Sequence, residues 1–206
     1  MKKSKSSKHW LEEHFSDVYV KKAQKAGYRA RSVYKLLEIQ ERYKIIKPNM
    51  TVVDLGAAPG GWSELLVKLV KPIGKVIAVD ILPIKPIAGV EIIQGDFTHE
   101  EVTKALLARG LAQNTDAVLS DMAPNMSGVS VSDQARSIAL VESAALFAIK
   151  ILKPKGIFLA KLFHGEGFDK VLEMLQKKFK EVKIIKPDAS RSRSREVYLL
   201  ARYLVG

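Results

Sequence analysis

Val52-Val53-Asp54-Leu55-Gly56-Ala57-Ala58-Pro59-Gly60-Gly61-Trp62 reads as an apolar β-strand that runs into a loop of small residues and opens a helix at Trp62-Ser63-Glu64. In an open α/β sheet, ligands bind outside the carboxyl ends of the strands, and the first strand-loop-helix turn is the usual place. Gly56, Gly60 and Gly61 permit positive φ and let a ligand approach the backbone without meeting a Cβ. The loop departs from the dinucleotide fingerprint G-x-G-x-x-G. Ala58 stands where the second glycine belongs, and Pro59 removes one N–H donor. Such a loop suits a pyrophosphate poorly and accepts an uncharged thioether arm, which favours S-adenosyl-L-methionine (SAM) over a nicotinamide dinucleotide.

Outward from this loop, strands and helices alternate as a parallel sheet requires. Apolar runs predict strands over 51–55, 75–80, 90–94, 116–120 and 157–162, and helices over about 61–70, 100–109, 132–152 and 167–179. Two further strands, 181–185 and 196–204, are joined by a segment too short for a helical crossover and are expected to pair antiparallel. The expected fold is therefore α/β, a Rossmann-like SAM-dependent methyltransferase fold. Its seven-stranded sheet is mostly parallel, with an antiparallel C-terminal hairpin and helices on both faces. Residues 1–206 are read as one domain, a basic helical extension (1–49) preceding the catalytic core (50–206). In that extension a polar arm covers 1–9 and a helix is expected over about 10–25. Ser32 is read as the cap of a second helix ending near Tyr43.

The net charge of +12 is the signature of a polyanion binder, nucleic acid being the commonest. It is uneven: residues 1–50 hold 13 Lys/Arg against 5 Asp/Glu, a net +8. The absence of cysteine removes disulfides and thiolate zinc sites, and the four histidines lack metal-ligand spacing, so no metal is expected. No apolar run is long enough for a membrane span, and Met1-Lys2-Lys3-Ser4-Lys5 leads into polar residues, so a cytoplasmic protein is expected. With no long exposed apolar stripe, a monomer is expected.

Asp80 ends the second strand about 20 residues beyond the loop, where an acid accepts hydrogen bonds from a ribose diol. Asp96 ends the third strand, where it accepts from an adenine amine or merely shapes a turn after Gly95. Asp121 ends the fourth. Like charges converging on one cleft repel, and a cationic sulfonium ligand relieves that repulsion. Asp121 opens Ser120-Asp121-Met122-Ala123-Pro124-Asn125, which lacks the second proline and the aromatic residue that hold a planar amine, so a hydroxyl acceptor is favoured. Lys161 closes the apolar strand Gly156-Ile157-Phe158-Leu159-Ala160-Lys161-Leu162-Phe163. It either snorkels out of the strand end or serves as a lysine tuned by its surroundings to take a proton.

The full string D-L-G-A-A-P-G-G-W resembles motif I of the FtsJ family of ribosomal RNA 2′-O-ribose methyltransferases, and the likeness extends from about Tyr28 to Tyr203. That resemblance implies a catalytic tetrad of Lys35, Asp121, Lys161 and Glu196. Lys35 stands in Ser32-Val33-Tyr34-Lys35-Leu36 and Glu196 in Ser194-Arg195-Glu196-Val197-Tyr198-Leu199. Residue types alone would make Lys35 a solvated helix lysine and Glu196 an ordinary strand residue. In the implied mechanism Lys161 orients and deprotonates a ribose 2′-hydroxyl. Asp121 and Glu196 fix its charge, and Lys35, a neighbouring cation, keeps its proton from being held too tightly. The cofactor-binding set is Gly56, Gly60, Gly61, Trp62, Asp80, Asp96 and Asp121. The implied substrate is a uridine of 23S ribosomal RNA within the large ribosomal subunit, with a role in ribosome maturation. RNA is expected on the N-terminal basic helices and on Arg191, Arg193 and Arg195. Competing readings are a relative acting on another RNA, a nicotinamide-dependent oxidoreductase, and a non-catalytic RNA-binding assembly factor.

Overall fold

The computed structural model describes residues 18–124, 130–191 and 193–205. The expected basic arm, the first part of the first helix, Asn125 and Ser192 lie outside them. Helices α1 (Val18–Lys25) and α2 (Val33–Tyr43) precede β1 (Thr51–Leu55). Then follow α3 (Gly61–Val70), β2 (Lys75–Asp80), β3 (Val90–Gln94) and α4 (Glu100–Leu106), and β4 (Thr115–Ser120) comes next. The chain closes with α5 (Ser130–Ile151), β5 (Leu152–Phe163), α6 (Phe168–Lys178), β6 (Phe179–Ile185) and β7 (Glu196–Leu204).

The sheet has seven strands in the order β3-β2-β1-β4-β5-β7-β6. β1 pairs in parallel with β2 on one side and β4 on the other, so the strand order reverses at β1 and opens a crevice beyond its carboxyl end. β7 runs antiparallel between β5 and β6. The expected hairpin is present, and its return strand also zips onto β5, placing Glu196 opposite Phe163 and Tyr198 opposite Lys161.

Each face of the sheet buries a core. Val53, Leu55, Val118, Phe158 and Leu162 pack under α5 and α6, whose Ala144, Ala145 and Ala148 allow close approach. Val52, Leu119, Leu159, Tyr198 and Leu200 pack under α2 and α3 through Val33, Leu36, Ile39, Trp62 and Leu66. Because side chains alternate along a strand, the second face continues at its carboxyl edge into Asp54, Asp121, Lys161 and Glu196. The periodicity that fills the core thus delivers the charged residues to one side.

The structure departs from the sequence reading most clearly at four places. Ser32 occupies the position before α2, yet it is already helical and makes no side-chain cap hydrogen bond; its carbonyl instead accepts from the Trp62 indole at 2.9 Å. The helix over 100–109 ends at Leu106 and loosens into a π-turn, Leu107–Leu111, where Gly110 has φ 74°. β5 begins at Leu152, because Leu152 already pairs with Thr115 before Lys153-Pro154-Lys155-Gly156 bulges out and pairing resumes at Ile157 with Ala117. β6 likewise starts two residues early, at Phe179, which pairs with Leu204.

Candidate active site

The glycine-rich loop turns back on itself: the Gly56 and Ala57 amides both donate to the Val79 carbonyl, at 2.9 and 3.2 Å. Gly56 has φ 72°, and a Cβ there would lie 2.1 Å from Met122 Cγ. Its missing side chain therefore makes room for the β4 loop as well as for any ligand. Gly60, with φ 107°, turns the chain into α3. Arg29 ties the loop to its surroundings. Its guanidinium pairs with Glu64 at 2.7 Å and donates to the carbonyls of Pro59, Lys85 and Pro86. Arg29, one of the basic residues of the N-terminal extension, is thus engaged in fixing the glycine-rich loop.

Asp80 accepts from the Ala58 amide at 2.9 Å and from the Leu82 amide at 2.8 Å, so its carboxylate sits at the loop, as expected from its position on β2. Asp96 accepts from the backbone and hydroxyl of Thr98, at 2.9 and 2.7 Å, and so shapes the turn after β3. Burial pushes its carboxyl up, but those bonds and nearby His99 outweigh it and hold it below the ordinary range. Asp54, Gly56, Ala57, Ala58, Pro59, Trp62 and Asp121 line one small cavity at the crevice.

The tetrad expected from Lys35, Asp121, Lys161 and Glu196 is assembled as two ion pairs. Lys161 Nζ lies 3.0 Å from Asp121 Oδ1 and also donates to the Asp121 carbonyl at 2.5 Å. Lys35 Nζ lies 2.7 and 2.8 Å from the two oxygens of Glu196. Lys161 does not snorkel out: it is buried, as is Glu196. Burial pushes the Asp121 carboxyl up, yet Lys161, Lys35 and a hydrogen bond from Tyr198 outweigh it and hold the group below its usual range. Asp121 is therefore a fixed anion that holds the Lys161 amine in place.

Three residues that contact the site were not singled out in the sequence. Tyr198, with no exposed surface, donates from its hydroxyl to Asp121 Oδ1 at 2.6 Å, so the carboxylate is gripped from β5 and β7 together. The signal lay in its spacing, two residues after Glu196 and hence on the same strand face. Ser190 donates to Glu196 Oε1 at 2.7 Å and anchors the arginine-rich loop to the second ion pair. That loop is also held by Glu38, which accepts from the Ala189 amide, and by Arg31, which donates to the Ala189 carbonyl.

Asp54 is the third. It is almost fully buried on β1 and accepts from Ser63 Oγ at 2.6 Å. Burial pushes its carboxyl up to about 7, and the charges of Asp121 and Asp80 push the same way against the Ser63 bond. In the unfolded chain the same group titrates near 3.8, so from there to about 7 the folded state holds a proton that the unfolded state has lost. Stability therefore falls as pH rises through this window, by roughly 4 kcal/mol in all at about 1.4 per pH unit. Asp54→Asn is expected to be more stable than the parent at pH 8, with the gap narrowed to less than half at pH 5. Urea midpoints at both pH values check this; a pH-independent gap would rule it out.

Among the described residues, no group of three or more metal-ligating side chains and no helix long and apolar enough to cross a membrane is present. A mostly parallel sheet with the crevice at β1, a glycine-rich loop without the dinucleotide pattern, and a paired Lys-Asp/Lys-Glu cluster beyond β4, β5 and β7 are together the arrangement expected of an FtsJ-type methyltransferase. The FtsJ-like methyltransferase domain matches residues 28–204, and the chain belongs to that family. It is 56% identical over 202 residues, covering 98% of both chains, to the ribosomal RNA large subunit methyltransferase E of Marinobacter nauticus. Its fold is similar to the crystal structure of a ribosomal RNA methyltransferase from Plasmodium falciparum, with a TM-score of 0.76 and 26% identity. That likeness covers 87% of this chain and 100% of the other.

Proposed function

We propose that this protein methylates the ribose 2′-hydroxyl of a uridine in large-subunit (23S) ribosomal RNA, with SAM as donor, in the cytoplasm. The observation that carries the chemistry is the buried Lys161 amine, gripped by the Asp121 carboxylate and carbonyl at the mouth of the crevice. The residues present fit SAM. Asp54, Asp80 and Asp121 crowd the glycine-rich loop closely enough to repel one another, and a cation there offsets that repulsion. Asp80 would hold the ribose diol, Asp96 the adenine, and the loop from Gly56 to Trp62 the methionine arm. When bound, SAM supplies a methyl group already activated on a cationic sulfonium.

The protein's part is to present the acceptor. Lys161 orients the 2′-hydroxyl and, entering the step as the neutral amine after giving its own proton to solvent, takes the hydroxyl proton as the oxygen attacks, since a neutral ribose hydroxyl is a weak nucleophile. Asp121 fixes the amine and is itself fixed by Tyr198. Glu196 balances Lys35, and the pair walls the acceptor side. Much of the rate comes from holding the reactants in register. The substrate RNA is held by phosphate contacts from the basic residues of α1 and of the 187–195 loop, which position it without reading its sequence.

The same 56% relative, named for the large-subunit RNA, supports the choice of substrate. A 2′-deoxy substitution at the acceptor nucleotide tests the chemistry. Transfer of labelled methyl from SAM is expected to vanish while RNA affinity is retained; continued transfer would move the acceptor from the ribose to the base.

A further inference from the structure

Phe163 is the last residue of β5, two positions beyond Lys161, so both side chains leave the same face of the strand, about 6.6 Å apart. It is directly opposite Glu196 in the β5–β7 ladder. Its neighbours on this face, Ile157 and Leu159, are packed into the core under α2 and α3, but Phe163 belongs to neither core and stays half-buried. Among the described residues its ring meets no other aromatic ring, whereas His164 next to it is stacked on Phe168. A large apolar ring left at the edge of a charged site asks for a ligand.

That ring borders an open cavity of about 300 Å³, whose other walls include Arg31, Lys35, Arg191 and Glu196. The volume is at the lower end for small-molecule sites and suits one nucleoside rather than a duplex. The Lys161 side chain is only 9% exposed, so an acceptor ribose has to enter the site to meet its amine. A nucleotide reaches it only when taken out of its stack, and unstacked RNA bases are characteristically laid on aromatic rings flanked by cations.

We infer that this cavity receives the acceptor nucleoside swung out of the RNA, with its base stacked on Phe163 while its 2′-hydroxyl faces Lys161. The inference rests on the ribose-methylation reading above and adds to it a base platform and a single-stranded requirement. Arg31 and Arg191 lie at the walls where the flanking phosphates pass.

The test crosses two changes: Phe163→Ala in the full-length protein, and an acceptor whose ribose keeps its 2′-hydroxyl but has lost its base. Each alone is expected to lower kcat/KM for RNA by about ten- to a hundredfold, the range of one base–aromatic stack. Together they should cost little more than either alone, because both remove the same contact. Phe163→Tyr should restore activity, Phe163→Leu should not, and calorimetric SAM affinity should be unchanged in all three, which separates lost stacking from misfolding. Losses that multiply, or an alanine variant as active as the parent, would overturn the platform while leaving ribose methylation intact. A parent protein that methylates no ribose would instead bring down the reading beneath it.

Discussion

Replacing Lys161 by alanine is expected to lower methyl transfer by about 10²- to 10⁴-fold, the usual contribution of a positioned acid–base group, and to leave SAM affinity essentially unchanged. The reasoning is local. Lys161 is held by Asp121 through a carboxylate contact and a carbonyl hydrogen bond on the acceptor side of the crevice, whereas the cofactor loop is built from β1, α3 and Arg29. Lys161→Arg is expected to fail as well, since a guanidinium keeps its proton and cannot act as a base. Single-turnover transfer together with calorimetry separates the two effects. Turnover close to the parent in the alanine variant would remove Lys161 from the chemistry.

Asp121→Ala is expected to be the most damaging change in the site, because it acts on both stability and rate. The carboxylate carries the Lys161 ion pair and the Tyr198 hydrogen bond. Without it a buried phenol loses its partner and a buried ammonium keeps only the backbone carbonyl of residue 121, at a cost of about 3–5 kcal/mol for a broken buried pair. Its carboxyl is held below the ordinary range in the fold, so this stabilisation is fully present above the ordinary carboxylate pKa. It is lost as pH falls through the folded value. The gap between Asp121→Ala and the parent in urea should therefore be wide at pH 7 and shrink in acid. Adding Lys161→Ala to Asp121→Ala should recover part of the loss, since the orphaned charge is then removed as well. A double variant no more stable than Asp121→Ala would mean that the pair is not what holds this corner together.

The apolar runs located all seven strands; in β1, β2, β4 and β5 burial on both faces of the sheet leaves little choice of residue, whereas the edge strands β3 and β6 are only partly buried. The carboxyl ends of β1, β2, β4 and β5 could be placed for the same reason, and with them Asp80, Asp121 and Lys161. Lys35 and Glu196 were different. They touch across 161 residues of sequence, and neither residue type nor local spacing marks a lysine on a helix or a glutamate at a strand start as functional. Only the family resemblance picked them out. Tyr198 was hidden because an aromatic residue in a strand is ordinary core until its hydroxyl is seen to reach a carboxylate. Asp54 drew no role as the acid at the end of the first strand, although an acid inside an otherwise apolar strand is itself a signal. The insertion of β7 between β5 and β6 was not fixed by the loop length, yet it is what carries Glu196 and Tyr198 to the site.

The central claim is that this buried lysine–carboxylate cluster methylates one ribose of large-subunit RNA. Its most direct test is transfer of labelled methyl from SAM to unmodified large ribosomal subunits, to small subunits and to naked RNA, with the product mapped by resistance to alkaline cleavage. One resistant linkage 3′ to a uridine of the large-subunit RNA, absent with Lys161→Ala, is the predicted result. Label on a base, or none on any large-subunit RNA by a protein that binds SAM, would contradict the account.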